Sequence, residues 1–103
     1  MGLDISLVLK VSDKIGYGQY KYCDKYDFDE ARYSCRKLMI DYEDMLWPKI
    51  DVYSQAPVFR PKDMEKFKKW FLSLNLSEGE IEYYMKIYET LKKSEDLFLK
   101  ICW

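Results

Sequence analysis

The stretch "DISLVLKVSDKIGYGQYKYCDKY", residues 4–26, decides how the chain begins to fold. Its first part alternates apolar and polar side chains, and one face carries Ile5, Leu7, Leu9 and Val11. A period of two is typical of a β-strand with one buried face. Gly16 and Gly18 follow, and glycine readily adopts the positive φ of a tight turn. Because the alternation then resumes, the stretch predicts a β-hairpin.

The second strand of this hairpin is rich in tyrosine. If the first strand turns its apolar face to the core, the second strand must supply inward residues on the same side. Tyr20 and Tyr22 share one face, whereas Lys21 and Lys25 lie on the other and must point to water. We therefore predict that Tyr20 and Tyr22 are buried. Tyr17, beside the glycine turn, is predicted to be exposed.

The first helix is predicted over residues 27–48, where apolar side chains recur at a spacing of three and four. Asp27 and Glu30 have the spacing of a capping box at its start. Pro48 ends the helix at or before Trp47, because the residue before a proline disfavours helical geometry.

The segment "KIDVYSQAPVF", residues 49–59, is predicted to be extended, with a short third strand as one reading. A second helix follows over residues 60–75, with Pro61 in its first turn. A third begins with the capping-box pair Ser77 and Glu80.

The end of the third helix is ambiguous. Phe98 and Ile101 continue the helical spacing, which favours one long helix with a weak point near Ser94. The alternative is a C-terminal strand at "LFLKICW", residues 97–103. Together these elements predict an α+β fold in one domain, residues 1–103, with a small antiparallel sheet packed with three helices.

The composition excludes several chemistries. The 103 residues include no histidine, so a histidine-based triad and a Cys2His2 zinc site are impossible. The three cysteines form no CxxC pair, and no phosphate-binding glycine motif follows a strand. We therefore expect no enzyme activity, no cofactor and no metal. The first residues lack the pattern of a signal peptide, so reduced thiols and a cytoplasmic location are expected.

The charge is nearly balanced, with 17 basic and 18 acidic residues. This balance gives no global reason to expect nucleic-acid or membrane affinity, and it leaves homo-oligomerisation open. No apolar run is long enough to span a bilayer, so no membrane partner is expected.

A local excess of basic residues lies within residues 60–69, where Phe67 interleaves with the charges. Basic side chains beside aromatic ones can follow a nucleic-acid backbone and stack on bases. The candidate nucleic-acid contacts are Arg60, Lys62, Lys66 and Lys69. The alternative is an amphipathic helix whose lysines are simply solvated.

Ten tyrosines in the chain favour a recognition surface, because tyrosine offers rigid area and a hydroxyl group at low entropic cost. Four of them lie in turns, in loops or off the apolar stripes, and we predict these as partner-binding residues: Tyr17, Tyr33, Tyr53 and Tyr83. Paired carboxylates on helix faces leave open a carboxylate-based enzyme acting on a nucleotide or a sugar.

The opening residues "MGLDISLVLK" resemble the start of small uncharacterised proteins from bacteriophages and bacteria that begin with a Met-Gly-Leu-Asp strand. The resemblance covers residues 1–10 and brings no catalytic residues. It implies a phage or mobile-element accessory protein that binds and blocks a host protein in the host cytoplasm, including proteins of defence systems. The expected function is therefore a small cytoplasmic binding protein that occupies the surface of a partner and inhibits a host defence system.

Overall fold

A computed structural model describes residues 4–14, 17–26, 38–47 and 50–102. These residues form six strands, two helices and one helical turn at residues 38–40. The strands are β1 (Asp4–Lys14), β2 (Tyr17–Tyr26), β3 (Met45–Leu46), β4 (Ile50–Asp51), β5 (Val58–Pro61) and β6 (Leu97–Cys102). The helices are α1 (Met64–Ser73) and α2 (Glu78–Leu91).

All six strands belong to one sheet with the order β3-β5-β6-β1-β2-β4. β1 lies at its centre and pairs antiparallel with both β2 and β6. β4 is parallel to β2 and pairs with it at residues 17–18, so the sheet is mixed. The α+β class and the N-terminal hairpin are therefore confirmed. The expectation of a small antiparallel sheet with three helices is wrong in the size and direction of the sheet.

The first predicted helix lies largely outside the described residues, including its capping pair Asp27 and Glu30. Residues 38–40 of that span are helical. Its predicted end is wrong, because Met45 and Leu46 form a strand that pairs with Pro61 and Arg60. Met45 is buried, as its place on the predicted apolar stripe of the helix had required, but it is buried as part of a strand.

The prediction of one long C-terminal helix is wrong, and the alternative of a C-terminal strand is confirmed. α2 ends at Leu91, and β6 begins at Leu97. Phe98 and Ile101 have helical spacing because both faces of β6 are covered, so apolar residues on its two faces mimic a helical repeat. Periodicity cannot distinguish a doubly buried strand from a short piece of buried helix.

The main core lies between one face of the sheet and the two helices. Ile5, Leu7, Leu99 and Ile101 from the sheet belong to the same buried cluster as Phe67, Phe71, Tyr84, Ile87, Tyr88 and Leu91 from the helices. Phe71 of α1 stacks on Tyr84 of α2, with ring centroids 5.1 Å apart. Burying such large aromatic rings supplies much of the stability of a domain of this size.

The opposite face of the sheet carries a smaller buried cluster of Val8, Tyr20, Val58 and Phe98. Tyr20 packs edge-on against Phe98 with ring centroids 5.7 Å apart. Because both faces are covered here, Val8 is as fully buried as Ile5 on the other side. The single buried face predicted for β1 is therefore an incomplete description.

Two irregularities in the β1–β2 ladder alter the predicted register. The pairing shifts between Leu7 and Val8 and again between Lys10 and Ser12, which leaves Val11 as the extra residue in β1. A β-bulge bends its strand and redirects the side chains that follow. Val11 is accordingly 62% exposed rather than buried, and Leu9 is only half-buried.

The predicted burial of the two hairpin tyrosines is therefore correct for one residue and wrong for the other. Tyr20 is buried, as expected, but Tyr22 is 58% exposed and its predicted burial is wrong. Tyr22 lies opposite Val8 and on the same face of β2 as Tyr20, but it is not part of the buried cluster of Val8, Tyr20, Val58 and Phe98. Lys21 is exposed, as predicted.

The helix caps explain where α1 and α2 begin. Asp63 caps α1, because its carboxylate accepts hydrogen bonds from the backbone N–H groups of Glu65 and Lys66. The prediction that Pro61 lies in the first turn of the helix is wrong, because Pro61 is the last residue of β5. The predicted capping box of Ser77 and Glu80 is confirmed in full, with both reciprocal hydrogen bonds formed.

Candidate binding surface

A tight turn follows β4 and carries Tyr53 at its tip. Its backbone is closed by hydrogen bonds from the N–H of Gln55 to the carbonyl of Asp51 (2.7 Å) and from the N–H of Asp51 to the carbonyl of Ala56 (2.9 Å). Gln55 adopts a positive φ of 55° to complete the turn. The N–H of Val52 also donates to the carbonyl of Gly18 at 2.8 Å, which ties the turn to β2. The backbone around Tyr53 is thus fixed on both sides.

The side chain of Asp51 organises this turn from inside. Asp51 is only 2% exposed. Its carboxylate accepts hydrogen bonds from the hydroxyl of Ser54 at 2.7 Å and from the N–H of Tyr53 at 3.4 Å. The Nζ of Lys100 lies 3.6 Å away and supplies the opposite charge. A buried carboxylate requires such partners, because an uncompensated charge in the interior is strongly unfavourable.

The ring of Tyr53 stands out from the turn, and the side chain is 75% exposed. Its hydroxyl oxygen accepts a hydrogen bond from Nε2 of Gln19 at 3.0 Å. The Oε1 of Gln19 accepts one from the hydroxyl of Ser12 at 3.2 Å. Tyr53 is therefore held by its backbone at one end and by its hydroxyl at the other, while its ring faces solvent.

Beside this ring lies a shallow depression of about 330 Å³, lined by Val11, Gln19, Tyr20, Lys21 and Tyr53. We call these five residues the Tyr53 surface. The bulge in β1 contributes Val11, and β2 contributes the next three residues. Exposed Tyr22 lies two residues along β2 from Tyr20. The surface offers apolar area, a hydrogen-bonding amide and one positive charge.

Among the other predicted partner-binding tyrosines, the side chain of Tyr83 lies within the described part of the chain. Tyr83 is only 6% exposed and belongs to the main core, which leaves its side chain little area for the predicted partner contact. Its ring lies 6.0 Å from that of Tyr84, and the burial of both neighbours shows that α2 is covered over a wider arc than one apolar stripe. Tyr33 and the side chain of Tyr17 lie outside the described residues.

The basic segment is partly used inside the fold. Arg60 donates hydrogen bonds to the carbonyls of Ser94 (2.9 Å), Leu97 (2.8 Å) and Leu91 (3.2 Å). Burial of its guanidinium lowers the pKa of Arg60 below its ordinary value. Arg60 therefore fastens β5 to the end of α2 and the start of β6.

The lysines of this segment have different surroundings. The Nζ of Lys66 lies 2.6 Å from the carboxylate of Asp44, and this hydrogen bond and charge raise the pKa of Lys66. Lys62 and Lys69 are exposed. Arg60 is thus used inside the fold, whereas Lys62, Lys66 and Lys69 are all exposed and Lys66 is paired with Asp44.

A second depression, of about 390 Å³, lies beside Arg60, Lys10 and Asp96. Two of its charged side chains form an ion pair, since the Nζ of Lys10 lies 3.5 Å from the carboxylate of Asp96. The one described carboxylate that is buried, Asp51, is occupied in its turn. Among the described residues no group of cysteines and acidic residues is arranged to hold a metal ion.

Sequence reasoning identified Tyr53 but missed the residues that hold and surround it. Asp51 had a readable signal, because an aspartate followed by Ser54 can accept hydrogen bonds from the turn it begins. Gln19 and Val11 had none, since the alternating pattern placed Val11 in the core and gave no indication of the bulge.

Comparison of the chain with protein-family models, with curated proteins and with solved structures gives no match. None of the described helices is long and apolar enough to cross a membrane. The functional inference therefore rests on the geometry of the chain's own surface.

Proposed function

We propose that this chain is a small binding protein that acts by occupying the surface of a partner protein through the Tyr53 surface. The observation that carries the proposal is the state of Tyr53, whose ring is 75% exposed although the residue is held at both ends. A well-ordered aromatic ring in solvent adds little to the stability of the isolated protein, but it offers rigid contact area for an interface.

Preorganisation is the physical reason why this arrangement favours binding. A partner that covers Tyr53 does not have to order the turn, because the hydrogen bonds of Asp51 and Gln19 have already done so. Side chains that are fixed before association lose less conformational entropy on binding. Tyrosine is also enriched among the residues that dominate binding energies, together with tryptophan and arginine.

The partner that fits the proposal is a host protein, and the setting is a phage-related accessory protein in the host cytoplasm. The support is the resemblance of residues 1–10 to the start of small phage and bacterial proteins. An inhibitor of a host defence protein needs only a surface that blocks its target. It requires no catalytic group, metal or cofactor.

Two other functions have less support from the geometry. A nucleic-acid interface would use the basic segment, but Arg60 and Lys66 are already bonded to carbonyls and to Asp44. A carboxylate enzyme would need paired acidic groups in a cleft. The described carboxylates in the larger depression, Glu95 and Asp96, are both exposed.

The experiment is capture of partners from host lysate with tagged protein, followed by titration of the purified partner. Tyr53→Ala should weaken binding about 30-fold or more, the effect of losing a hot-spot residue worth about 2 kcal/mol. Leu72→Ala is the matched control, because Leu72 is 50% exposed on α1, away from the Tyr53 surface. It should change the affinity less than about twofold. Equal binding by wild type and Tyr53→Ala would contradict the proposal.

A further inference from the structure

The backbone of β2 presents hydrogen-bonding groups along its outer edge. The N–H of Lys10 donates to the carbonyl of Asp96 at 2.8 Å, so it points from β1 toward β6 and away from β2. Lys10 lies opposite Tyr20 in the antiparallel ladder. Opposed residues in such a ladder either point at each other or both point away. Tyr20 therefore directs its N–H and C=O to the outer side of β2.

The contact with β4 agrees with this orientation. The carbonyl of Gly18 accepts a hydrogen bond from the N–H of Val52, on the outer side of β2. Backbone groups alternate in direction along a strand, so Gly18, Tyr20 and Tyr22 all face outward. In the described part of the chain, β4 pairs with β2 at residues 17–18 and ends at Asp51. The outward groups of Tyr22 lie beyond it.

The side chains at this position are accessible. Lys21, Tyr22 and Cys23 are all exposed, and Tyr22 is 58% exposed. Tyr53 stands where β4 ends, bonded to Gln19 of β2. Among the described residues no strand pairs with the outer edge of β2 at residues 21–23, and this part of the edge is continuous with the Tyr53 surface. Edge strands with exposed backbone groups are the sites at which extended peptides add to a sheet.

We propose that the partner contributes an extended segment that adds to the edge of β2 at residues 21–23, beside Tyr53. The segment carries an acidic side chain against Lys21 and apolar side chains on the face of Tyr22. This inference rests on the proposed function and names how the same region recognises its partner. The acidic residue follows from charge, because Lys21 is an exposed cation on the strand that the segment would pair with.

A second copy of the chain is a poorer occupant of this edge. Outward-facing residues oppose one another in an antiparallel pair of copies, and among the outward-facing residues identified above this places Tyr22 opposite Tyr22 or opposite Tyr20. The first register places Lys21 opposite the copy's Cys23, and the second places Lys21 opposite Lys21. Neither gives Lys21 a carboxylate, and the second opposes like charges.

The test uses three synthetic peptides with blocked ends. The first has the sequence Thr-Val-Glu-Val-Glu-Val-Thr, the second replaces both Glu by Lys, and the third is the acidic peptide with N-methyl groups at alternate residues on its pairing edge. NMR titration of the whole protein measures affinity, and hydrogen exchange measures protection of the Tyr22 amide. The acidic peptide should bind with a dissociation constant of about 1 mM or tighter and, near saturation, slow exchange at Tyr22 at least about tenfold.

The controls separate strand addition from other contacts. The lysine peptide and the N-methylated peptide should each bind about tenfold more weakly or worse, since one opposes Lys21 and the other cannot donate along the edge. Lys21→Glu should reverse the preference between the acidic and lysine peptides. Tyr22→Pro, which removes the outward N–H, should lose binding, whereas Tyr22→Ala should keep the edge contact.

Each contrary result overturns the inference. No binding at about 1 mM, equal binding of the N-methylated peptide, or equal binding of the lysine peptide would do so. Protection of Tyr22 that rises with protein concentration alone would assign the edge to a second copy instead. If the peptides fail while Tyr53→Ala still weakens partner capture, strand addition is wrong and the proposed function stands. If the acidic peptide binds but wild type and Tyr53→Ala capture the partner equally well, the proposed function is wrong.

Discussion

The carboxylate of Asp51 lies 3.6 Å from the Nζ of Lys100, and the two side chains are only 3% and 15% exposed. Their attraction joins the turn that carries Tyr53 to β6. Asp51→Asn would leave the Lys100 ammonium buried without its counter-charge. We expect a loss of about 3 kcal/mol in the free energy of unfolding, measured by urea denaturation, because breaking a buried pair strands a charge.

The double variant Asp51→Asn, Lys100→Met is the control for this prediction. Removing both charges should recover part of the lost stability, since an apolar side chain replaces the stranded ammonium. A double variant less stable than Asp51→Asn alone would show that Lys100 stabilises the fold mainly through other contacts.

Tyr20 and Tyr22 are neighbours on one face of β2 with opposite exposure. Tyr20→Ala should lower the free energy of unfolding by about 3–5 kcal/mol, because it empties the contact with Phe98. Tyr22→Ala should change it by less than about 0.5 kcal/mol, as surface substitutions usually do. Thermal or urea melts of the two variants measure the difference, and similar losses would contradict the register.

Tyr42 and Tyr88 differ in what their hydroxyl groups bond. Among the described residues the buried hydroxyl of Tyr42 has no hydrogen-bond partner, whereas that of Tyr88 donates to Glu65 at 2.7 Å. Tyr42→Phe should therefore stabilise the protein by about 1 kcal/mol, since it removes an unsatisfied buried group. Tyr88→Phe should destabilise it. Urea denaturation distinguishes the two, and a loss of stability in Tyr42→Phe would reveal a partner for that hydroxyl.

Glu65 makes stability depend on pH. Hydrogen bonds from the Tyr88 hydroxyl and the Lys92 ammonium lower the pKa of Glu65 below its ordinary value of 4.5. A carboxyl group with a lowered pKa in the folded state stabilises the fold fully above 4.5 and loses that contribution as the pH falls through the folded value. Wild type should therefore exceed Glu65→Gln in stability at neutral pH, and the difference should shrink in acid. A constant difference across this range would contradict the prediction.

Arg60 should be essential for the turn between α2 and β6. Arg60→Met would leave the carbonyls of Leu91, Ser94 and Leu97 without their donor. We expect a loss of about 3 kcal/mol in unfolding free energy and faster amide exchange over residues 92–97. Lys62→Met, an exposed neighbour, should leave both unchanged. Amide exchange over residues 92–97 at the wild-type rate in Arg60→Met would show that the turn is stable without the Arg60 hydrogen bonds.

The helices and the hairpin were predictable because their signals are local. The capping box of Ser77 and Glu80 needs only four consecutive residues, and the alternation of β1 needs only its own strand. The size of the sheet was not predictable in this way. β6 pairs with β1 from the far end of the chain, and its burial on both faces removed the pattern that would have revealed it.

The candidate site could be predicted from the sequence only in part. Tyr53 could be predicted as exposed because it lies in a polar, turn-forming segment. The bulge that brings Val11 to the same surface depends on how two strands pair, and a single strand carries no trace of it. The burial of Tyr83 could not be predicted for a related reason. The width of the buried face of a helix depends on the elements that pack against it.

The pairing of β1 with β6 sets the order of events in folding. Asp4 lies opposite Cys102, so β1 gains β6 as its neighbour only after residues 97–102 have been synthesised. Until then the β6-side edge of β1 and the apolar residues of the hairpin lack their final cover. Closing so long a loop is entropically costly, and topologies dominated by such distant contacts fold slowly. Until β6 has been added, the hairpin exposes apolar side chains and an unpaired strand edge, and such surfaces favour aggregation.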